Sequence, residues 1–132
     1  MKDIIYQGLS YRLNGLFFEV HNKLGRFKNE KQCADKFEQL LIRESIKYKR
    51  ECALPPSFKG EHVGRNRPDF IIADCIIVDF KTKTIITKED YFQMLRYLTS
   101  YNKRLGIIVN FRQKYLKPKR IINPEVKSKK YY

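Results

Sequence analysis

The sequence predicts a single α/β domain, and three observations carry that prediction. Apolar residues recur at helical spacing within 3–24, 29–45 and 87–100; uninterrupted apolar runs of strand length fall within 70–80 and at 105–111. At 132 residues the chain has the size of one domain and no room for a large second core. With 42% AVILMFWYC, 14% aromatics and only 5 prolines, it carries enough apolar material for a packed centre, which excludes disorder as an overall description.

In the first helical segment Leu9, Leu13, Leu16, Phe17, Val20 and Leu24 line one face, with Asp3 as the expected cap and Gly25 suited to the left-handed conformation that ends a helix. Asn29 caps a second helix running to about Ser45, whose buried stripe is Cys33, Phe37, Leu40 and Leu41. Glu30 falls in its first turn, where an acid favours the positive end of the helix whatever else it does. Ile46, Tyr48 and the stretch through Cys52 and Leu54 read as a strand stopped by Pro55 and Pro56, and 57–67 as a polar connection containing Gly60 and Gly64.

The clearest β signal is PDFIIADCIIVDFK, in which apolar runs at 70–73 and 75–80 flank Asp74 as a turn residue. A hairpin connected by 73–75 sets Asp69 opposite Asp79, and Lys81 shares the face of Asp79 because side chains alternate along a strand. Thr87 and Asp90 have the spacing of a capping box and open a helix to about Ser100. Phe92, Leu95 and Thr99 outline one side of it, Met94 and Leu98 a neighbouring one, and Gln93 and Tyr97, four apart, share a face. LGIIVNF at 105–111 lacks alternation, which implies cover on both sides, and Ile121 with Ile122 suggests a short last strand. The domain is expected to span 1–124, with 125–132 a basic tail carrying Lys127, Lys129 and Lys130.

The 28 Lys and Arg against 14 Asp and Glu give a net charge of +14, an excess that concentrates polyanions and makes nucleic acid the first partner to consider. Cys33, Cys52 and Cys75 form no CxxC pair and suggest neither a disulfide framework nor a zinc knuckle, which fits a reducing compartment. No long apolar run marks a signal peptide or a membrane span, so the expected location is cytoplasmic or nuclear, without secretion and without a membrane partner.

Two carboxylates gathered at strand ends cost free energy unless a cation resolves their repulsion. Asp69, Asp79 and the backbone carbonyl of Phe80 offer the all-oxygen set that magnesium prefers, with manganese an alternative, and no histidine pair competes for zinc. Such an ion polarises a phosphodiester and activates water, while the Lys81 ammonium supplies charge to phosphoryl oxygens. An acid, any residue and a lysine are also common at an ordinary salt-linked strand end, so the triplet alone decides little.

The wider pattern resembles the small GxxExxY proteins of the PD-(D/E)XK nuclease superfamily, whose core is RecB-like, from about residue 4 to residue 122. FFEVHNKLG at 17–25 resembles the first helix of that family and its glycine end, and YKRECALPPSFKGEHVGRNRPDFII at 48–72 resembles its middle segment. Pro68 and Asp69 stand at the PD position, Asp79, Phe80 and Lys81 at the (D/E)XK position, and Gln93 and Tyr97 match the QxxxY element of RecB-like nucleases. The glutamate of the naming motif falls on Glu30, but Phe27 replaces its glycine and Cys33 its tyrosine.

The resemblance implies a small restriction-endonuclease-like core, a central mixed sheet flanked by helices, and magnesium-dependent hydrolysis of nucleic acid, DNA before RNA. Glu30 then joins Asp69 and Asp79 as a metal ligand, directly or through water. Gln93 orients a phosphate or a water and Tyr97 donates its hydroxyl, unless the two merely brace the helix. Glu19 is a spare acid, and His21 stays outside the site.

Between Arg43 and Arg67 lie seven basic residues, including Lys49 and Arg50, and this segment leads directly into Asp69. Arg65 and Arg67 are therefore the preferred phosphate contacts. Arg112, Lys114, Lys117, Lys119 and Arg120 form a second basic group, in which Tyr115 either stacks on an unpaired base or covers the core. Two other functions stay open: a catalytically inactive nucleic-acid-binding module, suggested by Phe27 and Cys33, and a basic subunit that docks an acidic protein. Apolar helix faces also allow a homodimer with two sites on opposite strands.

Overall fold

The computed structural model describes residues 6–126. The expected cap Asp3 and the tail lysines Lys127, Lys129 and Lys130 lie outside the described residues. Helix α1 (Gln7–Leu24) begins after Tyr6, a left-handed residue at φ 52° that gives it no side-chain cap, and it ends at Gly25, whose φ of 75° suits a residue without Cβ. Helix α2 (Glu30–Arg43) opens with a reciprocal cap: Asn29 Oδ1 accepts from Gln32 N at 2.8 Å, and Gln32 Oε1 accepts from Asn29 N at 3.0 Å.

The strands are β1 (Tyr48–Arg50), β2 (Phe70–Ile72), β3 (Ile76–Lys81), β4 (Leu105–Asn110) and β5 (Lys119–Ile122), in the spatial order β1-β2-β3-β4-β5. All neighbours are antiparallel except β3 and β4, which are parallel and joined through α3 (Lys88–Ser100). The sheet is mixed and helices flank it, as the resemblance implies. Phe70 pairs with Val78 and Ile72 with Ile76, so the turn at 73–75 has the expected length, and Ala73 and Asp74 close it at φ 50° and 56°.

Helices α1 and α2 cover one face, where Phe17, Phe37, Phe70, Phe80 and Phe111 are fully buried with Leu13, Leu41 and Ile72. Helix α3 covers the other, packing Met94, Tyr97 and Leu98 on Ile71, Ile77, Ile108 and Ile121. Gly106 permits that contact: a Cβ there would collide with the sulfur and Cγ of Met94. Both faces of β4 are therefore covered, and all its residues are buried.

Two expectations need correction. The first strand stops at Arg50 rather than continuing to Leu54, because Glu51 turns left-handed at φ 52° and the proline-rich stretch that follows leaves the ladder. Helix α3 buries Met94, Tyr97 and Leu98, whereas Phe92 is 54% exposed and stacks edge-on with Tyr91 instead. Periodicity located both stripes of that helix, and the sheet selected the second.

Candidate functional site

The register that pairs Phe70 with Val78 brings Asp69 and Asp79 to the same level of adjacent strands, at the end opposite the hairpin turn. Alternation places both on the α3 face, beside Ile71 and Ile77, and Lys81 with them. Their contacts are reciprocal. Asp69 N donates to Asp79 Oδ1 at 3.2 Å, and Phe80 N donates to Asp69 Oδ2 at 2.7 Å. Burial first, and then the charge of Asp79, push the Asp69 carboxyl well above the usual carboxylate range, although the Phe80 amide pulls the other way.

Lys81 Nζ lies 2.9 Å from Asp79 Oδ2, donates to Gln93 Oε1 at 2.9 Å and stands 3.9 Å from Asp90 Oδ1. Burial disfavours its charge, but Asp79, Asp90 and Glu30 more than offset that and hold its pKa above the ordinary lysine value. The ammonium is fixed from three directions by groups on β3 and α3. Tyr97, one turn beyond Gln93, is buried, and burial together with the charges of Asp79 and Asp69 keeps its hydroxyl protonated beyond its ordinary range.

Asp90 was legible only as a capping residue. It does cap α3 with Thr87, and its Oδ2 also accepts from Lys83 Nζ at 2.8 Å. Asp90, Gln93 and Tyr97 follow three and four apart, which puts them on one helical face, and that spacing was the available signal. Asn110, likewise missed, is buried and ties the strand end to the next loop. Its Oδ1 accepts from Lys83 N at 3.1 Å and its Nδ2 donates to Lys83 O at 2.7 Å.

Glu30 arrives from the opposite layer, at the exposed first turn of α2. It reaches the same sheet end, because Glu30, Lys31, Ala34, Arg50, Glu51 and Asp69 line one cavity of about 220 Å³. Its charge is felt at both Asp69 and Lys81. Among the described residues, however, no three His, Cys, Asp or Glu side chains stand close enough to hold a metal ion together. The donor chemistry nonetheless fits a hard divalent cation: two facing carboxylates, one of them raised by burial and by the charge of the other, form a site whose repulsion such an ion relieves.

The basic candidates separate. Arg65 approaches Glu61 at 3.7 Å and Arg67 donates to the Glu51 carbonyl at 2.9 Å, and both stay exposed on the segment entering Asp69. Arg50 is drawn inward, 2.8 Å from Asp35 and 3.0 Å from Glu38, so its charge braces β1 against α2. Lys49 faces the other side of the strand and shares a cavity with Asp74 and Tyr101, near the hairpin turn and away from Asp79. Arg112 leaves β4 at the site end of the sheet, and Lys114 follows it, exposed beside Tyr115. Tyr115 is 73% exposed and does not cover the core. Glu19, the spare acid, forms a bidentate pair with Arg43 at 2.7 and 2.9 Å that joins α1 to α2. His21 Nε2 stands 2.7 Å from the Gln113 carbonyl and ties α1 to the segment that follows β4.

The three cysteines are free, and no helix among the described residues is long and apolar enough to cross a membrane. The sequence model of a family described as the PD-(D/E)XK nuclease superfamily matches residues 7–122. Comparison with curated proteins and with solved structures gave no match.

Proposed function

This chain belongs to the PD-(D/E)XK nuclease superfamily and has its restriction-endonuclease-like core, and we propose that it is a magnesium-dependent nuclease of the RecB-like, GxxExxY kind, acting on DNA in preference to RNA. The observation that carries the reading is the Asp69–Asp79 pair, two carboxylates held at one level with Lys81 beside them. Asp69, Asp79, the Phe80 carbonyl and Glu30 would hold magnesium, or manganese in its place. When bound, the cation supplies Lewis acidity toward phosphate oxygens and an attacking water.

The remaining chemistry falls to the chain's own groups. Lys81, held charged by Asp79, is unsuited to removing a proton and acts as a fixed cation toward a phosphoryl oxygen. Gln93 positions that ammonium through its Oε1 and leaves its amide hydrogens for phosphate or water. Tyr97 keeps its proton and can donate it toward the carboxylates. Arg65, Arg67, Arg112 and Lys114 carry the strand's phosphates to this edge without reading bases.

The test is metal-stimulated cleavage of single-stranded, duplex and branched DNA and RNA by the purified protein. The reading expects products with magnesium or manganese and none after Asp79→Asn. Unchanged cleavage by that variant would overturn the assignment. That no three acidic side chains among the described residues stand close enough to hold an ion together favours a second reading, a binding module without turnover. Salt-sensitive binding to nucleic acid with no metal-dependent product would select it.

A further inference from the structure

Phe27 stands in the turn between α1 and α2, 74% exposed. Single exposed apolar side chains are ordinary, so exposure alone means nothing. The surroundings are not ordinary. Two guanidinium groups lie near the ring, with Arg26 Cζ 4.9 Å and Arg112 Cζ 5.8 Å from its centroid. The arrangement is braced from below: Arg112 Nε donates to the Arg26 carbonyl at 3.0 Å, and Arg112 N donates to Asn110 Oδ1 at 3.3 Å.

Its position matters as much as its composition. Asn110 is the register partner of Lys81, so Arg112 leaves the sheet at the end that carries Asp79 and Lys81. Phe27 precedes Glu30 by three residues, and even a fully extended chain of that length spans no more than about 11 Å. Phe27 is therefore within about 11 Å along the chain of Glu30, one of the residues that line a cavity with Asp69.

We propose that Phe27, with Arg26 and Arg112 beside it, is a stacking platform for an unpaired base, which directs single-stranded or frayed nucleic acid to the site. An exposed aromatic face stacks on any base, but only on one not already stacked in a duplex, and nearby guanidinium groups hold adjacent phosphates while adding cation–π attraction. The inference names the form of the substrate and rests on the nuclease reading only for where the phosphodiester lies.

The experiment measures binding of labelled single-stranded DNA and of blunt duplex of the same sequence to metal-free wild type, Phe27→Ala and Phe27→Tyr, alongside cleavage of the same single strand with magnesium. Phe27→Ala is expected to weaken single-strand binding by about 5- to 150-fold, the cost of one lost base stack, while leaving duplex binding unchanged; Phe27→Tyr restores it. Quenching of 2-aminopurine in the single strand should likewise disappear in Phe27→Ala and persist in Phe27→Tyr. Equal losses on strand and duplex, or no loss on either, would overturn the platform. Wild-type cleavage with Phe27-independent binding sinks the platform and leaves the nuclease reading intact. Phe27-dependent single-strand binding without cleavage does the reverse.

Discussion

Phe80 and its neighbours Asp79 and Lys81 occupy consecutive positions of β3 but face opposite layers. On the α2 side Phe80 meets Phe37, Phe70, Phe17 and Phe111 with ring centroids 5.2, 5.6, 5.9 and 4.7 Å away, a dry cluster in which each ring is fully buried. On the α3 side the apolar packing of Ile77 against Met94 and Leu98 gives way at the strand end to Asp79, Lys81, Asp90 and Gln93, linked to one another by hydrogen bonds and ion pairs. One face supplies rigidity and the other spends it, because crowded carboxylates keep their places only on strands anchored from behind.

Each prediction separates those two roles. The largest expected effect is Phe80→Ala, which empties the centre of the aromatic cluster and should cost about 3–5 kcal/mol in denaturant unfolding. Asp69→Asn, one strand away, should do the opposite. It keeps an oxygen for the Phe80 amide and removes a charge that burial and Asp79 disfavour, so the metal-free protein should gain thermal stability while cleavage falls by ~10²–10³-fold. A destabilised Asp69→Asn would mean that the acidic pair is structural.

Gly106→Ala tests the joint between the faces. Its new methyl meets Met94, and the overpacking should cost about 1–3 kcal/mol. Because Gln93 and Tyr97 ride on the same helix, cleavage should fall with stability. Unaltered cleavage in a destabilised Gly106→Ala would show that α3 does not position the site.

The smallest effect is one of pH, in the connection before Asp69. Hydrogen bonds from the Ser57 backbone, the Ser57 hydroxyl and Asn66 hold the Glu61 carboxyl below its ordinary value of 4.5. A depressed folded pKa gives stability that is present above the unfolded value and lost as pH falls through the folded one. The Glu61→Gln variant should therefore show a flatter acid limb when unfolding midpoints are followed from about pH 7 to about pH 3, and an identical limb would remove Glu61 from the account.

What the sequence revealed followed from local rules. The turn at 73–75 fixed the pairing of Asp69 with Asp79, Asn29 and Thr87 announced their helices, and the unbroken run LGIIVNF announced a strand covered on both sides. What it hid depended on which layer a side chain meets. Spacing could not tell that Arg50 would be claimed by Asp35 and Glu38, that Glu30 would approach from the far layer, or that Asp90 would hold Lys83 while capping α3. Nor could spacing tell that an exposed Phe27 would stand beside Arg112, which comes from a strand end far along the chain.

We propose that Asp69 and Asp79 share a divalent cation. Calorimetric titration of magnesium and manganese into wild type and Asp69→Asn tests it without reference to any substrate. The account expects saturable binding to wild type that is lost in the variant with the fold intact. Equal metal affinity in the two proteins would contradict it.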